Sequence, residues 1–205
     1  MKESHGTPER PIPRSYWVEP GRVLAGEYPG SEREADALRK IDRLLGAGVT
    51  LFLDLTHPDD RSHSGKQLLP YDGLLPANAP LSGREIEHRR RPIRDGRTTG
   101  VTEMNAILDE VDRAQVDGHV VYFHCWGGHG RTGTVAGCYL VRHGMLATDA
   151  LCEIMRLRKG APNGHYVSPD PGPQTELVLN WHRWDTGLAS TSGPRASDRD
   201  CRNSR

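Results

Sequence analysis

The chain has no excess of charge of either sign: Lys+Arg and Asp+Glu each total 27 in 205 residues, so the formal net charge is zero. A general electrostatic draw to nucleic acid or to an anionic membrane surface is thereby excluded, and any attraction for anions must be local. Long apolar runs are also missing. The longest, "VTLFLDL" and "VVYF", are strand-sized and far below the length that spans a bilayer. The start of the chain, "MKESHGTPERPIPRSYW", lacks the apolar core of a signal peptide. The expectation is a soluble, cytoplasmic monomer with no nucleic acid or membrane partner. The four cysteines, Cys125, Cys138, Cys152 and Cys201, include no CxxC pair, so neither a disulfide framework nor a zinc site is expected, and no metal or cofactor is implied. Internal repeats are absent as well.

What remains is a length suited to one α/β domain with a proper core. Residues 1–13, polar and rich in Pro and Arg, read as a flexible N-terminal arm. Residues 14–185 read as the domain. The Gly/Ser/Arg/Asp-rich stretch 186–205 cannot bury enough apolar surface to fold and reads as a disordered tail. "GRVLAGEYPG" gives a short strand ending in a Pro-Gly turn. "SEREADALRKIDRLLGAG" combines a capping box, Ser31 with Glu34, and an apolar face of Ala35, Leu38, Ile41, Leu44 and Leu45, which predicts a helix. "VTLFLDLT" and "HVVYFH" read as strands buried on both faces. "IEHRRRPI" reads as a further strand, and "VTEMNAILDEVDRAQVDG" as a helix. Three helical segments follow, the second with Thr148 as N-cap. Residues 57–82 read as a long loop with one helical turn. Strands and helices alternate early and helices gather late. That order predicts a central, mostly parallel sheet flanked by helices.

The chemistry concentrates in "HCWGGHGRTG", residues 124–133. In open α/β sheets ligands bind beyond the carboxyl ends of strands, where the next helix offers free N–H groups and the positive end of its dipole. Cys125 ends the strand "HVVYFH", and a helix begins near Arg131. Gly127, Gly128 and Gly130 allow the loop between them to curl with its amides turned inward, forming an anion-binding nest with Trp126 and His129 in the same loop. Arg131 adds a planar guanidinium that takes two phosphate oxygens at once. A helix N-terminus and nearby cations favour the thiolate of a cysteine, which makes Cys125 the candidate nucleophile. The hydroxyl of Thr132 is placed to donate to the sulfur as the covalent intermediate breaks down, and His124 to fix the loop through its ring nitrogens. A Walker nucleotide loop is a poor fit, because "GGHGRTGT" does not satisfy GxxxxGK[ST].

His-Cys followed by five residues and Arg-Thr resembles the signature loop of the cysteine-based protein tyrosine phosphatases, and the order of elements resembles their compact dual-specificity branch. "FLDLTHP", "RRPIRDG" and "SPDPGPQTELVLNW" look like segments of bacterial domains of this type. The resemblance implies a dual-specificity phosphatase-like fold and hydrolysis of a phosphomonoester through a phosphocysteine. It also implies an acid on a loop upstream. Asp95 in "PIRDGRTTG", thirty residues before Cys125, is the best match; Asp54, Asp59, Asp60 and Asp72 are rivals. The proline usual in that loop is missing, with Thr98 and Thr99 in its place. Gln174 resembles the polar residue that places the hydrolytic water.

The implied substrate is a phosphorylated protein carrying phosphotyrosine, alone or with phosphoserine and phosphothreonine. A nucleotide, sugar or inositol phosphate and a phosphate-binding module without turnover are the alternatives. The run Arg89–Arg91 reads either as a solvated strand edge or as a surface that meets substrate.

Overall fold

A computed structural model describes residues 9–62, 64–77, 79 and 81–187. Five strands form one sheet: β1 (Ser15–Glu19), β2 (Val23–Gly26), β3 (Val49–Asp54), β4 (Glu87–Arg90) and β5 (Val120–His124). Their order across the sheet is β1-β2-β5-β3-β4. β1 pairs antiparallel with β2, and the other three pairs are parallel. The expected α/β domain, with its mostly parallel sheet, is therefore present with one antiparallel edge.

Helices α1 (Glu34–Gly46), α2 (Val101–Val116), α3 (Gly130–Arg142), α4 (Ala147–Arg158) and α5 (Pro173–Asn180) cover the two faces. α1 buries Ile41, Leu44 and Leu45 against Trp17, Leu24, Phe52, Tyr71 and Tyr122 on one face. On the other, α2 to α5 bury Met104, Ile107, Leu108, Val135, Cys138, Ile154 and Val178 against Val23, Ala25, Leu51, Leu53, Val121 and Phe123. Alternate residues of β2, β3 and β5 thus feed two apolar layers, which is why these strands read as continuous apolar runs. Each large side chain so buried contributes about 1.5–3 kcal/mol. No helix among the described residues is long and apolar enough to cross a membrane.

Several local expectations give way. Of the expected arm, residues 1–8 lie outside the described residues, while Ile12 is buried and Arg10 donates to the carbonyls of Leu157 and Lys159, so residues 10–12 pack on the domain. At the other end Thr186 still belongs to the domain, its amide donating to Asn105 Oδ1 at 2.9 Å. The expected disordered tail, from residue 188 onward, lies outside the described residues. The capping box does not form: Arg33 caps α1, and the Ser31 hydroxyl accepts from the Arg33 amide instead of an α1 amide. Leu146, not Thr148, caps α4. Trp181 anchors the end of α5 in the core, whereas Trp184 is partly exposed. Cys138 is a free, buried core thiol, and Cys152 is half-buried and not a free thiol.

Candidate active site

The loop from Cys125 to Gly130 joins the carboxyl end of β5 to the N-terminus of α3, at the middle of the sheet. It is docked on the end of β2: the Tyr28 amide donates to Trp126 O at 3.0 Å. Gly128 makes this docking possible. It adopts φ +72°, and a Cβ there would stand 2.6–2.8 Å from the backbone of Gly26 and Glu27. Side chains are excluded on both counts. The Thr132 hydroxyl accepts from the Cys125 amide at 2.8 Å and faces Gly26 O at 3.4 Å. Its proton is therefore directed to the main chain, and not to the sulfur as the sequence suggested.

Below the loop, His124 is fully buried, and burial lowers its pKa to about 4 although nearby Asp54 works the other way. The ring is neutral at pH 7. With Cys125 O facing Nδ1 at 3.4 Å, Nδ1 carries the proton and Nε2 accepts from the Tyr71 hydroxyl at 2.7 Å. His124 thus ties the loop to the segment that carries Tyr71. Asp54, a rival acid, is fully buried, takes bonds from Thr56 and Arg90, and faces His88 and His124. Burial pushes its pKa up, but these partners outweigh burial and hold it well below the carboxylate range. It is a permanent anion inside the sheet edge, unsuited to donating a proton.

Arg131 opens α3 and is 2% exposed. Its Nη1 donates to Asp60 Oδ2 at 2.5 Å and to Ile93 O at 2.8 Å, and its Nη2 lies 2.9 Å from Asp95 Oδ1. Burial disfavours the charge, yet Cys125, Asp60 and Asp95 more than offset it, so the pKa is raised. Nε is buried without an acceptor among the described residues. The guanidinium is held in place from one side and retains a donor for a further acceptor. Asp95 stands in a turn with Gly96 at φ +66°, and its side chain is 77% exposed. The structure therefore brings Cys125, Arg131, Thr132 and Asp95 together.

Gln174 is buried and links that turn to the far side of the loop: Nε2 donates to Arg97 O and Oε1 accepts from the Asp170 amide, both at 3.1 Å. Gly130 packs against the same pair, since a Cβ on it would fall 2.4 Å from Asp170 Oδ2 and 3.1 Å from Gln174 Oε1. His129 faces Asp170 through Nε2 at 3.6 Å, and burial lowers its pKa against the pull of Asp170. Trp126 leans on Tyr28 at the rim of a small cleft shared with Gly30, Leu68 and Leu69. Gly127 gives its carbonyl to Asn163 Nδ2 at 2.8 Å.

Sequence reasoning missed Asn163, Ser168 and Asp170 as contacts of the loop, and saw Asp60 only as a rival acid. Nothing local marks them, because each reaches the loop through chain folding. The arginine run is internally matched: Arg89 pairs with Glu87 and Glu110, Arg90 with Asp54, and Arg91 with Glu103 and Glu110. Among the described residues no cluster of three or more His, Cys, Asp or Glu side chains is arranged to hold a metal ion.

Sheet order, loop and helix together define the architecture of the cysteine-based protein tyrosine phosphatase superfamily, in its compact dual-specificity form. Solved structures agree on the fold. Kinase associated phosphatase superimposes with a TM-score of 0.63 at 16% identity, over 83% of this chain and 93% of that one. Tk-PTP in its active form gives 0.57 at 24% identity, over 83% and 97%. The chain belongs to the Swiss Army Knife DSP-PTPase phosphatase domain family, PTP-SAK, whose model matches residues 12–163. Among curated proteins it is similar to the Arabidopsis thaliana phosphatidylglycerophosphate phosphatase PTPMT2, 31% identical over 88 residues, 42% of this chain and 38% of that protein. Mus musculus protein tyrosine phosphatase domain-containing protein 1 is 29% identical over 148 residues, 71% of this chain and 19% of that protein. The chain thus spans well under half the length of these relatives.

Proposed function

We propose that the protein is a phosphomonoester hydrolase that works through a phosphocysteine on Cys125, with phosphotyrosine proteins, or phosphotyrosine together with phosphoserine and phosphothreonine proteins, as substrates. The observation that carries this reading is Arg131. A buried guanidinium fixed by Asp60 and Ile93 O, with Nε unpartnered and Asp95 beside it, is a prepared receptor for a phosphoryl oxygen.

In this reading the loop amides and Arg131 hold the phosphoryl group above the Cys125 sulfur. The thiolate attacks phosphorus, forming the S–P bond as the P–O bond to the leaving group breaks. Asp95 gives that oxygen its proton. Water then attacks the phosphocysteine, loses its proton to Asp95, and the S–P bond breaks to release phosphate. Gln174 braces the turn that carries Asp95. His124 and Thr132 keep the loop curled. Trp126, Gly127, Gly128, His129 and Gly130 form the walls around the bound group.

The relatives favour a second reading with the same chemistry: a phosphorylated lipid or small metabolite. PTPMT2 is a phosphatidylglycerophosphate phosphatase by name, and PTPMT1, solved in complex with PI(5)P, shares the fold at a TM-score of 0.57. Against it, the arginines nearest the sheet edge are matched by carboxylates of the chain itself. Hydrolysis of p-nitrophenyl phosphate with EDTA present, by the wild type and by Cys125→Ser, tests the shared chemistry. Activity in the wild type alone is expected; equal activity in both, or dependence on added metal, rules it out. Competition between a phosphotyrosine peptide and phosphatidylglycerophosphate then separates the two substrates.

A further inference from the structure

Arg131 gives the site no surplus of positive charge. Buried Asp60 lies against its Nη1 at 2.5 Å, and Asp95 against its Nη2 at 2.9 Å. The histidines of the loop add none, because burial lowers the pKa of both His124 and His129 and leaves their rings neutral at pH 7. A phosphomonoester nevertheless brings close to two negative charges, and a thiolate on Cys125 one more. A further cation stands behind the loop. Arg158, at the end of α4, is 1% exposed and forms no ion pair with a carboxylate among the described residues. Its Nη1 donates to Tyr166 O at 2.7 Å and its Nη2 to Asn163 O at 2.8 Å, both neutral acceptors. A buried charge without a counterion is costly, and a guanidinium cannot shed its proton to escape that cost. Burial accordingly pulls the pKa of Arg158 down, with neighbouring Arg10 working the same way, against the opposing pull of Tyr16, Cys125 and Asp170. Asp170 is 43% exposed and faces His129, and the Tyr16 hydroxyl is buried without a partner among the described residues. Of the groups that act on Arg158, Cys125 is the one at the reacting centre.

The same side chain is tied to the loop. Asn163, whose carbonyl Arg158 holds, donates to Gly127 O at 2.8 Å, and the Ser168 hydroxyl of the same turn donates to His129 O at 2.7 Å. Gly164 lets the turn close over the arginine, since a Cβ there would collide with Arg158 O. We propose that Arg158 is a positioning residue whose uncompensated charge, buried behind the loop and fixed to it through Asn163, makes the site bind doubly charged tetrahedral oxyanions in preference to singly charged ones. The inference rests on the phosphatase reading above and concerns the charge of the group bound, whatever its leaving group. The interaction of one fixed charge with a ligand scales with the ligand's charge. Removing it therefore costs a dianion twice the free energy that it costs a monoanion of the same shape.

Tungstate and perrhenate are tetrahedral oxyanions of like size that carry two charges and one. Their binding to the full chain bearing Cys125→Ser, measured by calorimetry in slightly alkaline buffer at constant ionic strength, reads the proposal without turnover and without the charge of the thiolate. Adding Arg158→Gln, whose amide can still donate to a carbonyl, should weaken tungstate about tenfold and perrhenate only about threefold, whereas Arg158→Lys keeps most of the preference. A loop merely displaced by the substitution would weaken both ligands alike, so equal losses, or no loss, overturn the proposal. If Arg158→Gln does not fold, Arg158→Met, which replaces the buried cation by an apolar side chain, must give the same unequal losses. One check needs no change at Arg158: Cys125→Ser that binds perrhenate as tightly as tungstate also refutes the proposal. Failure of the phosphatase reading would show differently, as a wild type without Cys125-dependent turnover of p-nitrophenyl phosphate, and the oxyanion comparison would still read Arg158.

Discussion

Replacing Gly128 by alanine should damage the protein far more than the same change at Gly96, although both residues have nearly the same backbone conformation, φ +72° and +66°. The left-handed conformation alone costs an L-residue about 1–2 kcal/mol, and both variants bear it. At Gly96 nothing lies within 4 Å of the added carbon. At Gly128 the carbon would meet Gly26 C at 2.6 Å, Glu27 N at 2.7 Å and Gly26 O at 2.8 Å. These are backbone atoms at the end of a central sheet strand and cannot swing aside, so overpacking adds about 1–3 kcal/mol. The expected totals are about 2–5 kcal/mol at Gly128 against about 1–2 at Gly96, read from urea unfolding extrapolated to water. The functional effect should diverge as well: moving the loop off β2 turns its amides away from the nest, so Gly128→Ala should lose affinity for inorganic phosphate, measured by calorimetry, while Gly96→Ala keeps it. Equal destabilisation of the two variants, or undiminished phosphate binding by Gly128→Ala, would refute the docking argument.

Three further outcomes follow from the same geometry. His124 stays neutral in the folded protein down to about pH 4, whereas in the unfolded chain it takes a proton near 6.5; its contribution is complete above 6.5 and is lost as pH falls toward 4, up to about 3 kcal/mol. His124→Asn should flatten the stability profile across that window, and an unchanged slope in urea titrations at pH 7 and 4.5 would contradict it. Asp60→Asn should lower unfolding stability by about 1.5–3 kcal/mol, because the buried Arg131 loses its closest charged partner; thermal unfolding with no change in midpoint counts against that pairing. Asp95→Asn, at an exposed position, should leave the thermal midpoint nearly unchanged but slow turnover about 100-fold or more for poor leaving groups and less for p-nitrophenol. A uniform loss across leaving groups would make Asp95 a bracing residue instead of the acid.

The parts of the molecule legible in the sequence are those whose cause is local. β3 and β5 announce themselves because both their faces are covered, and α2 because Met104, Ile107, Leu108 and Val111 return at helical spacing. The loop that joins β5 to α3 was legible for the same reason, its glycines, cysteine and arginine lying within seven residues. β1 was not: "SYWVE" follows a Pro- and Arg-rich stretch, and its burial comes from antiparallel pairing with β2 and from packing on both faces. The Ser31–Glu34 pattern failed because the chain places Arg33, one residue before Glu34, at the cap. Asp60, Asn163, Ser168 and Asp170 were illegible because a distant arginine, two main-chain carbonyls, and His129 with Gln174 respectively recruit them, and such contacts leave no motif. The arginine run, which reads as a solvated edge or as a surface that meets substrate, stands at the strand edge paired with Asp54, Glu87, Glu103 and Glu110, carboxylates that no local pattern assigns to it.

The central claim is that a phosphoryl group passes through the sulfur of Cys125. The most direct measurement is acid-quenched single turnover of the wild type with phenyl phosphate, followed by mass analysis of the peptide that carries Cys125. The account predicts one phosphoryl group on that cysteine, appearing before free phosphate and decaying as phosphate is released. Steady turnover with the modification on another residue, or with no phosphorylated peptide at any time point, would contradict it.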